Sequence, residues 1–300
     1  MQEIFDKYVE TYLRAEKNLS PYTIRNYSTG MRDFSSFLVA RKITSLEFVD
    51  KDTIRSYLAF LMKQGIKKGT ISGKLSAVRS FFAYLKREDS ISTNPVANIS
   101  SPKLEKRLPA FLTQEETEVL LKTPDLSKPQ GLRDRALLEL LYASGLRVSE
   151  LVSLKLGQIN LETREIRVIG KGSKERMVLM GLPAAQALAE YLEKGRPMLL
   201  KDKTGSAVFI NRLGQQIPAR RVQKIMDSCA KKAGFHKRVY PHLLRHTFAT
   251  HLLDHNADLR VVQELLGHES PSTTQIYTHV SQAQAKKVYL AAHPMAKEGL

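Results

Sequence analysis

The feature that most constrains this chain is an interruption. Helical apolar stripes run to about residue 92, and then Asn94-Pro95, Ser101-Pro102 and Leu108-Pro109 punctuate a segment that carries the charged run Lys103 to Arg107 and no apolar period. One core does not continue through such a segment. The chain therefore reads as two modules, 1–92 and 113–300, joined by a linker at 93–112. Its 300 residues hold enough apolar side chains for two cores.

The first module reads as four helices. Ile4, Tyr8 and Tyr12 mark one, and Ser20-Pro21 caps a second whose Ile24, Tyr27, Met31, Phe34 and Leu38 share a face. A third begins near Asp52 with Ile54, Tyr57, Leu58 and Leu61; a fourth follows Gly69-Thr70 with Ile71, Leu75, Val78, Phe82 and Leu85. This predicts a small helical bundle. Its polar faces carry Lys63, Lys67, Lys68, Lys74, Arg79, Lys86 and Arg87. One such cluster is ordinarily a solvated face, but the formal net charge of +17 shifts the expectation toward a polyanion, with nucleic acid foremost. A ribosomal or chaperone-like basic protein would share that charge. Cys229 is the single cysteine, which excludes an internal disulfide framework and suits a reducing compartment. The first residues lack a signal peptide's basic start and apolar run, so a cytoplasmic location is expected.

In the second module Thr113 and Glu116 form a capping box ahead of a helix over 114–122, and a helix over 132–143 stops at Gly145. Arg147 then stands on a tight turn with Glu150 in reach to brace it. Between 161 and 180 the period changes to alternation. Residues 166–169 and 176–179 read as antiparallel strands joined by Gly170-Lys171-Gly172-Ser173-Lys174, which projects Lys171 from a hairpin mouth. Residues 183–240 read as scaffold, helical but for a strand-like piece at 207–210.

All eight histidines fall between 236 and 293, and 242–277 gathers His242, Arg245, His246, His251, His268 and Tyr277. On a helix from Pro241, Leu244, Phe248 and Leu252 form a buried stripe while His242 and Arg245 stand one turn apart on another face. Asp258 caps the next helix and Gly267 ends it, which presents His268 at a helix end; Ser270-Pro271 then starts a short helix carrying Tyr277. The pairs His242/His246 and His251/His255 have zinc-like spacing, but neither HExxH nor CxxC accompanies them. A lone tyrosine at a helix end is often structural. Two arginines, a hairpin lysine, two histidines and a tyrosine together suit metal-free phosphoryl transfer, in which cations neutralise the non-bridging oxygens.

ASGLRVSELVSL, GKGSKERMVL, HLLRHTFATHLL and LLGHESPSTTQIYTHV closely resemble the signature segments of the tyrosine site-specific recombinases, in that family's order across 113–280. Within the family they resemble the bacterial Xer type, leaning toward its D form. The resemblance implies a mainly α fold with a small antiparallel sheet in the second domain. It implies a two-domain DNA clamp, in which a SAM-like core-binding module precedes the catalytic domain. It also implies roles. Arg147 and Arg245 clamp the scissile phosphate, Lys171 protonates the leaving 5′ oxygen, and His242 aids proton transfer from Tyr277. His268 donates to the phosphate, and Tyr277 attacks to give a 3′-phosphotyrosyl link. No metal, ATP or other cofactor is implied. The implied partners are duplex DNA and a second Xer-type recombinase or further copies of this chain, as a tetramer on two sites. The resemblance also suggests an FtsK-type translocase as activator. A mobile-element integrase, a type IB topoisomerase-like enzyme and a non-catalytic DNA-binding protein remain the alternatives. Beyond the tyrosine, Ala285, Val288, Tyr289 and Ala292 repeat as a narrow apolar stripe on a helix expected over 281–292, too short to stand alone, which docks either on its own domain or, as the resemblance supports, on a neighbouring protomer.

Overall fold

The computed structural model describes residues 2–103, 110–169, 175–200, 204–267 and 282–296. The chain forms two compact units that divide after Arg107, and they are mainly helical.

The first unit contains α1 (Gln2–Lys7), which runs on as a π-type turn through Glu16, then α2 (Pro21–Ala40), α3 (Lys51–Lys63) and α4 (Lys68–Arg87). Caps fix where two of these begin: the Ser20 side chain accepts the Thr23 N–H, and Asp50 accepts the Thr53 N–H at 2.7 Å. The apolar stripes interlock around Phe34, Tyr57, Phe81 and Phe82, with Phe34 edge-on to Tyr57 at 5.0 Å. Ile91, Val96 and Ile99 are buried in this same core. The start of the segment expected as linker thus packs on the first unit, because apolar side chains spaced along it find a surface to cover.

The second unit is built on α6 (Pro129–Ser144), buried nearly all round by α5 (Gln114–Lys122), α8 (Leu182–Glu190), α9 (Arg196–Leu200) and α11 (Pro241–Asp254). α7 (Val148–Ser153), α10 (Ala219–Lys232) and α12 (Leu259–Leu266) complete the shell with α13 (Gln282–Ala292). A three-stranded antiparallel sheet, β1 (Ile159–Asn160), β2 (Glu165–Ile169) and β3 (Glu175–Leu179), lies in that order. Ile166 faces Val178, and Val168 faces Arg176. Since cross-strand partners point to one side, Arg176 stands on the face that buries Ile166, Val168 and Val178. The strand-like piece at 207–210 forms isolated bridges, Lys155 with Ala207 and Ile210 with Gln216.

α11 fastens the start of this unit. The Leu112 N–H donates to Thr247 Oγ1 at 3.0 Å, and its carbonyl accepts from His251 Nε2 at 2.9 Å. Ala285, Tyr289 and Ala292 of α13 are buried with Phe248 and Leu252 of α11 and with Val262 and Leu266 of α12. The stripe packs into an apolar groove that its own unit offers. Among the described residues no helix is long and apolar enough to cross a membrane.

Candidate functional site

Two helix ends create the site. α6 stops at Gly145 (φ +57°) and α12 at Gly267 (φ +65°), each a left-handed stop that leaves carbonyls without partners in their own helix. Arg245, buried on α11, bridges the two: one Nη donates to the Gly145 carbonyl and the other to the Leu266 carbonyl at 2.6 Å. Sequence spacing places Arg245 on a face apart from the core stripe. In the structure its guanidinium is buried because these two carbonyls receive it.

Arg147 is the N-cap residue of α7. Glu150, in the first turn, accepts the Arg147 backbone N–H at 2.8 Å and Arg147 Nη1 at 2.9 Å, while Arg147 Nη2 reaches the Gly267 carbonyl at 3.3 Å. The bracing read from the turn is therefore a two-point contact in which Arg147 donates twice to one carboxylate. A second arginine joins it. Arg176 Nη1 and Nη2 donate to the two Glu150 oxygens at 2.8 and 2.9 Å, a parallel fork. Sequence reading passed over Arg176. Its signal was the alternation: it is in phase with Val178 on a strand whose inner face is apolar, where a cation requires a partner.

The electrostatics follow from this geometry. Burial alone would raise the Glu150 carboxyl, but hydrogen bonds from Arg176 and Arg147 outweigh it and hold the group below its ordinary range. Arg245 moves the other way. Burial first, then repulsion from Arg147 and Arg176 against the pull of Glu150, brings its guanidinium down to about 10. Positive charge thus exceeds negative charge among these four side chains, in a half-buried place that an anion would relieve.

His242 is exposed on the first turn of α11, one turn before Arg245. His251 is buried and uses both ring nitrogens, Nδ1 with the Tyr142 hydroxyl at 2.8 Å and Nε2 with the Leu112 carbonyl, so its work is structural. Lys171, His268 and Tyr277 lie outside the described residues, as does Ser281.

The basic set of the first unit divides. Lys74 pairs with Asp33; Arg79 donates to Ser101 Oγ at 2.9 Å and to the Ile99 carbonyl; Arg87 forks Glu16 at 2.6 and 2.9 Å and lies 4.8 Å over the Tyr12 ring. Those three tie the fold. Lys63, Lys67, Lys68 and Lys86 are exposed, the first three around the turn between α3 and α4.

Comparison with known proteins extends the geometry. A model described as the phage integrase family matches residues 110–284, and one described as phage integrase, N-terminal SAM-like domain, matches residues 5–89. The chain is 46% identical over 295 residues to a tyrosine recombinase XerC of Pelotomaculum thermopropionicum, covering 95% of this chain and 96% of that one. It is 42% identical over 296 residues to a tyrosine recombinase XerD of Staphylococcus epidermidis, covering 99% and 100%. A solved XerH site-specific recombinase, bound to a palindromic difH substrate in a post-cleavage complex, is similar at 27% identity with a TM-score of 0.69, over 91% of this chain and 81% of that one.

Proposed function

The chain belongs to the phage integrase family and is a tyrosine recombinase, an enzyme that cuts and rejoins DNA, and from that premise we propose a site-specific reaction through a 3′-phosphotyrosyl link made by Tyr277. The observation that carries the reading is the pair Arg147 and Arg245, held at two facing helix ends with more positive than negative charge around them. Two planar guanidiniums grip the non-bridging oxygens of the scissile phosphate and stabilise the charge that grows there during attack. Lys171 protonates the departing 5′ oxygen, His242 takes part in removing the tyrosine proton, and His268 donates a further hydrogen bond to the phosphate. The phosphotyrosyl bond conserves the energy of the broken one, so rejoining needs neither ATP nor another high-energy cofactor.

The substrate in this reading is a dif-type site, the class carried by the solved XerH relative, and the task is resolution of chromosome dimers at cell division in the cytoplasm. Relatives named XerC and XerD both match nearly the full chain, which fits a partner recombinase of the same type, or this chain itself, in a tetramer on two sites. An FtsK-type translocase is the activator the reading supplies. Lys63, Lys67, Lys68 and Lys86 of this chain make sequence-independent contacts to the DNA phosphates.

The test uses labelled duplex carrying a dif-type site. The parent forms a covalent adduct that survives denaturation, whereas Tyr277→Phe binds the duplex and forms none. An adduct with Tyr277→Phe overturns the assignment, and a parent that never forms one on any duplex leaves only a DNA-binding protein on this fold.

A further inference from the structure

Arg176 lies outside the set of residues given a chemical role above, yet it holds the carboxylate that braces Arg147. We infer that Arg176 is a positioning residue for strand cleavage: by occupying Glu150 with its own fork it keeps the Arg147 guanidinium available to the scissile phosphate. This rests on the reading that Arg147 binds that phosphate.

The hydrogen bonds divide unequally. Glu150 is 7% exposed, and each of its oxygens receives two donors: Oε1 from Arg147 Nη1 and Arg176 Nη1, Oε2 from the Arg147 backbone and Arg176 Nη2. Arg176 therefore makes the parallel two-point contact, and the Arg147 side chain makes a single one. A guanidinium carries five N–H donors. Arg147 directs one to Glu150 and one to the Gly267 carbonyl, and its side chain is 37% exposed against 17% for Arg176. The arginine from the turn is the one left able to meet a ligand.

Arg176 is fixed for this task from two sides. It rises from β3 opposite Val168 on the buried face of the sheet, and Gly267 at the end of α12 stands close to its guanidinium end. A Cβ added at Gly267 would stand 3.0 Å from Arg176 Nε and 3.1 Å from its Cδ. One side chain thus joins three segments that carry or neighbour in sequence the proposed reacting groups: β3, which follows Lys171 in the chain; the turn of Arg147; and the end of α12, which precedes His268.

Without Arg176, a buried carboxylate loses half of its donors, which is costly. Arg147 is the adjacent cation with freedom to replace them. Turning to fork Glu150 would take it off the phosphate, and a displacement of about 1 Å in a clamp slows a reaction by about a hundredfold.

The experiment measures single-turnover adduct formation and duplex affinity for the parent, Arg176→Met, Arg176→Lys, Glu150→Gln and the double variant Arg176→Met/Glu150→Gln. Arg176→Met should cleave about ten- to a hundredfold more slowly, with affinity changed by less than about threefold. Arg176→Lys, which keeps the charge without the fork, should fall between it and the parent. The double variant should be faster than Arg176→Met, because a neutral amide no longer draws Arg147 away. A merely structural arginine predicts the reverse, with the second substitution adding damage. A parental rate for Arg176→Met, or a double variant slower than Arg176→Met, overturns the inference. Circular dichroism accompanies each variant. If Arg176→Met does not fold, the comparison passes to Arg176→Lys with and without Glu150→Gln, and unfolding of both single variants at Arg176 makes it a plain structural residue and also overturns the inference. A parent that forms no adduct instead counts against the proposed function itself.

Discussion

His293 sits just past α13 with no exposed surface, its ring among those of Tyr142 at 4.9 Å, Tyr289 at 5.1 Å and Phe248 at 5.4 Å. Its Nδ1 accepts the Met295 N–H at 3.1 Å. Burial disfavours the charged ring and brings its pKa from 6.5 down to about 3. A group depressed on folding contributes stability that is complete above its unfolded pKa and is lost as pH falls from there toward the folded value. At pH 4 the unfolded chain has bound a proton that the folded one refuses, which at 1.36 kcal/mol per unit removes roughly 3 kcal/mol relative to pH 7. His293→Phe keeps an aromatic ring there and removes the titration. It forfeits one acceptor, so it should be less stable than the parent at pH 7 by about 1 kcal/mol. It should lose roughly 3 kcal/mol less than the parent between pH 7 and pH 4. Urea unfolding of both proteins at the two pH values measures this. His251, also depressed by burial, is common to both and cancels in the difference. Equal losses for parent and variant would refute the buried neutral imidazole.

Gly145→Ala should cost about 2–4 kcal/mol, because φ is +57° and a Cβ would stand 2.6 Å from Phe248 Cδ1; thermal melting against the parent checks it, and a shift within a degree refutes the strain. Arg245→Lys should lower single-turnover cleavage by at least about a hundredfold, because an ammonium cannot span the Gly145 and Leu266 carbonyls and still face a phosphate as a plane. Near-parental cleavage would remove Arg245 from the clamp.

Local chemistry was legible in the sequence wherever its partner lay within a turn. The Thr113–Glu116 capping box, the Ser20 cap, the left-handed stops at Gly145 and Gly267, and the hairpin pairing of β2 with β3 all formed as residue type and spacing dictated. What sequence reading lost was long-range. Lys74, Arg79 and Arg87 read as free cations, yet their partners Asp33, Ile99 and Glu16 stand 41, 20 and 71 residues away, a distance over which no periodicity speaks. His251 looked like a chemical group until the Leu112 carbonyl, 139 residues earlier, claimed its Nε2. Arg176 was visible only in the phase of its strand. Arg245 was found, but its burial was not, since that depends on two helix ends distant in sequence meeting at one place.

The way Arg245 is satisfied bears on why the site is built from helix ends. A buried guanidinium needs hydrogen-bond acceptors, and carboxylates are the strongest on offer. Carboxylates would also cancel its charge and leave little to attract a phosphate. Carbonyls at the C-terminal ends of α6 and α12 accept the N–H groups and bring only the partial negative charge of a helix terminus. Arg245 is thereby held in place while most of its charge is left uncompensated, and burial beside Arg147 and Arg176 is what depresses its pKa to about 10. Glu150 is the one carboxylate hydrogen-bonded to these guanidiniums among the described residues, and Arg176 takes its fork. The arrangement separates fixing a cation from neutralising it, and the proposed phosphate clamp depends on that separation.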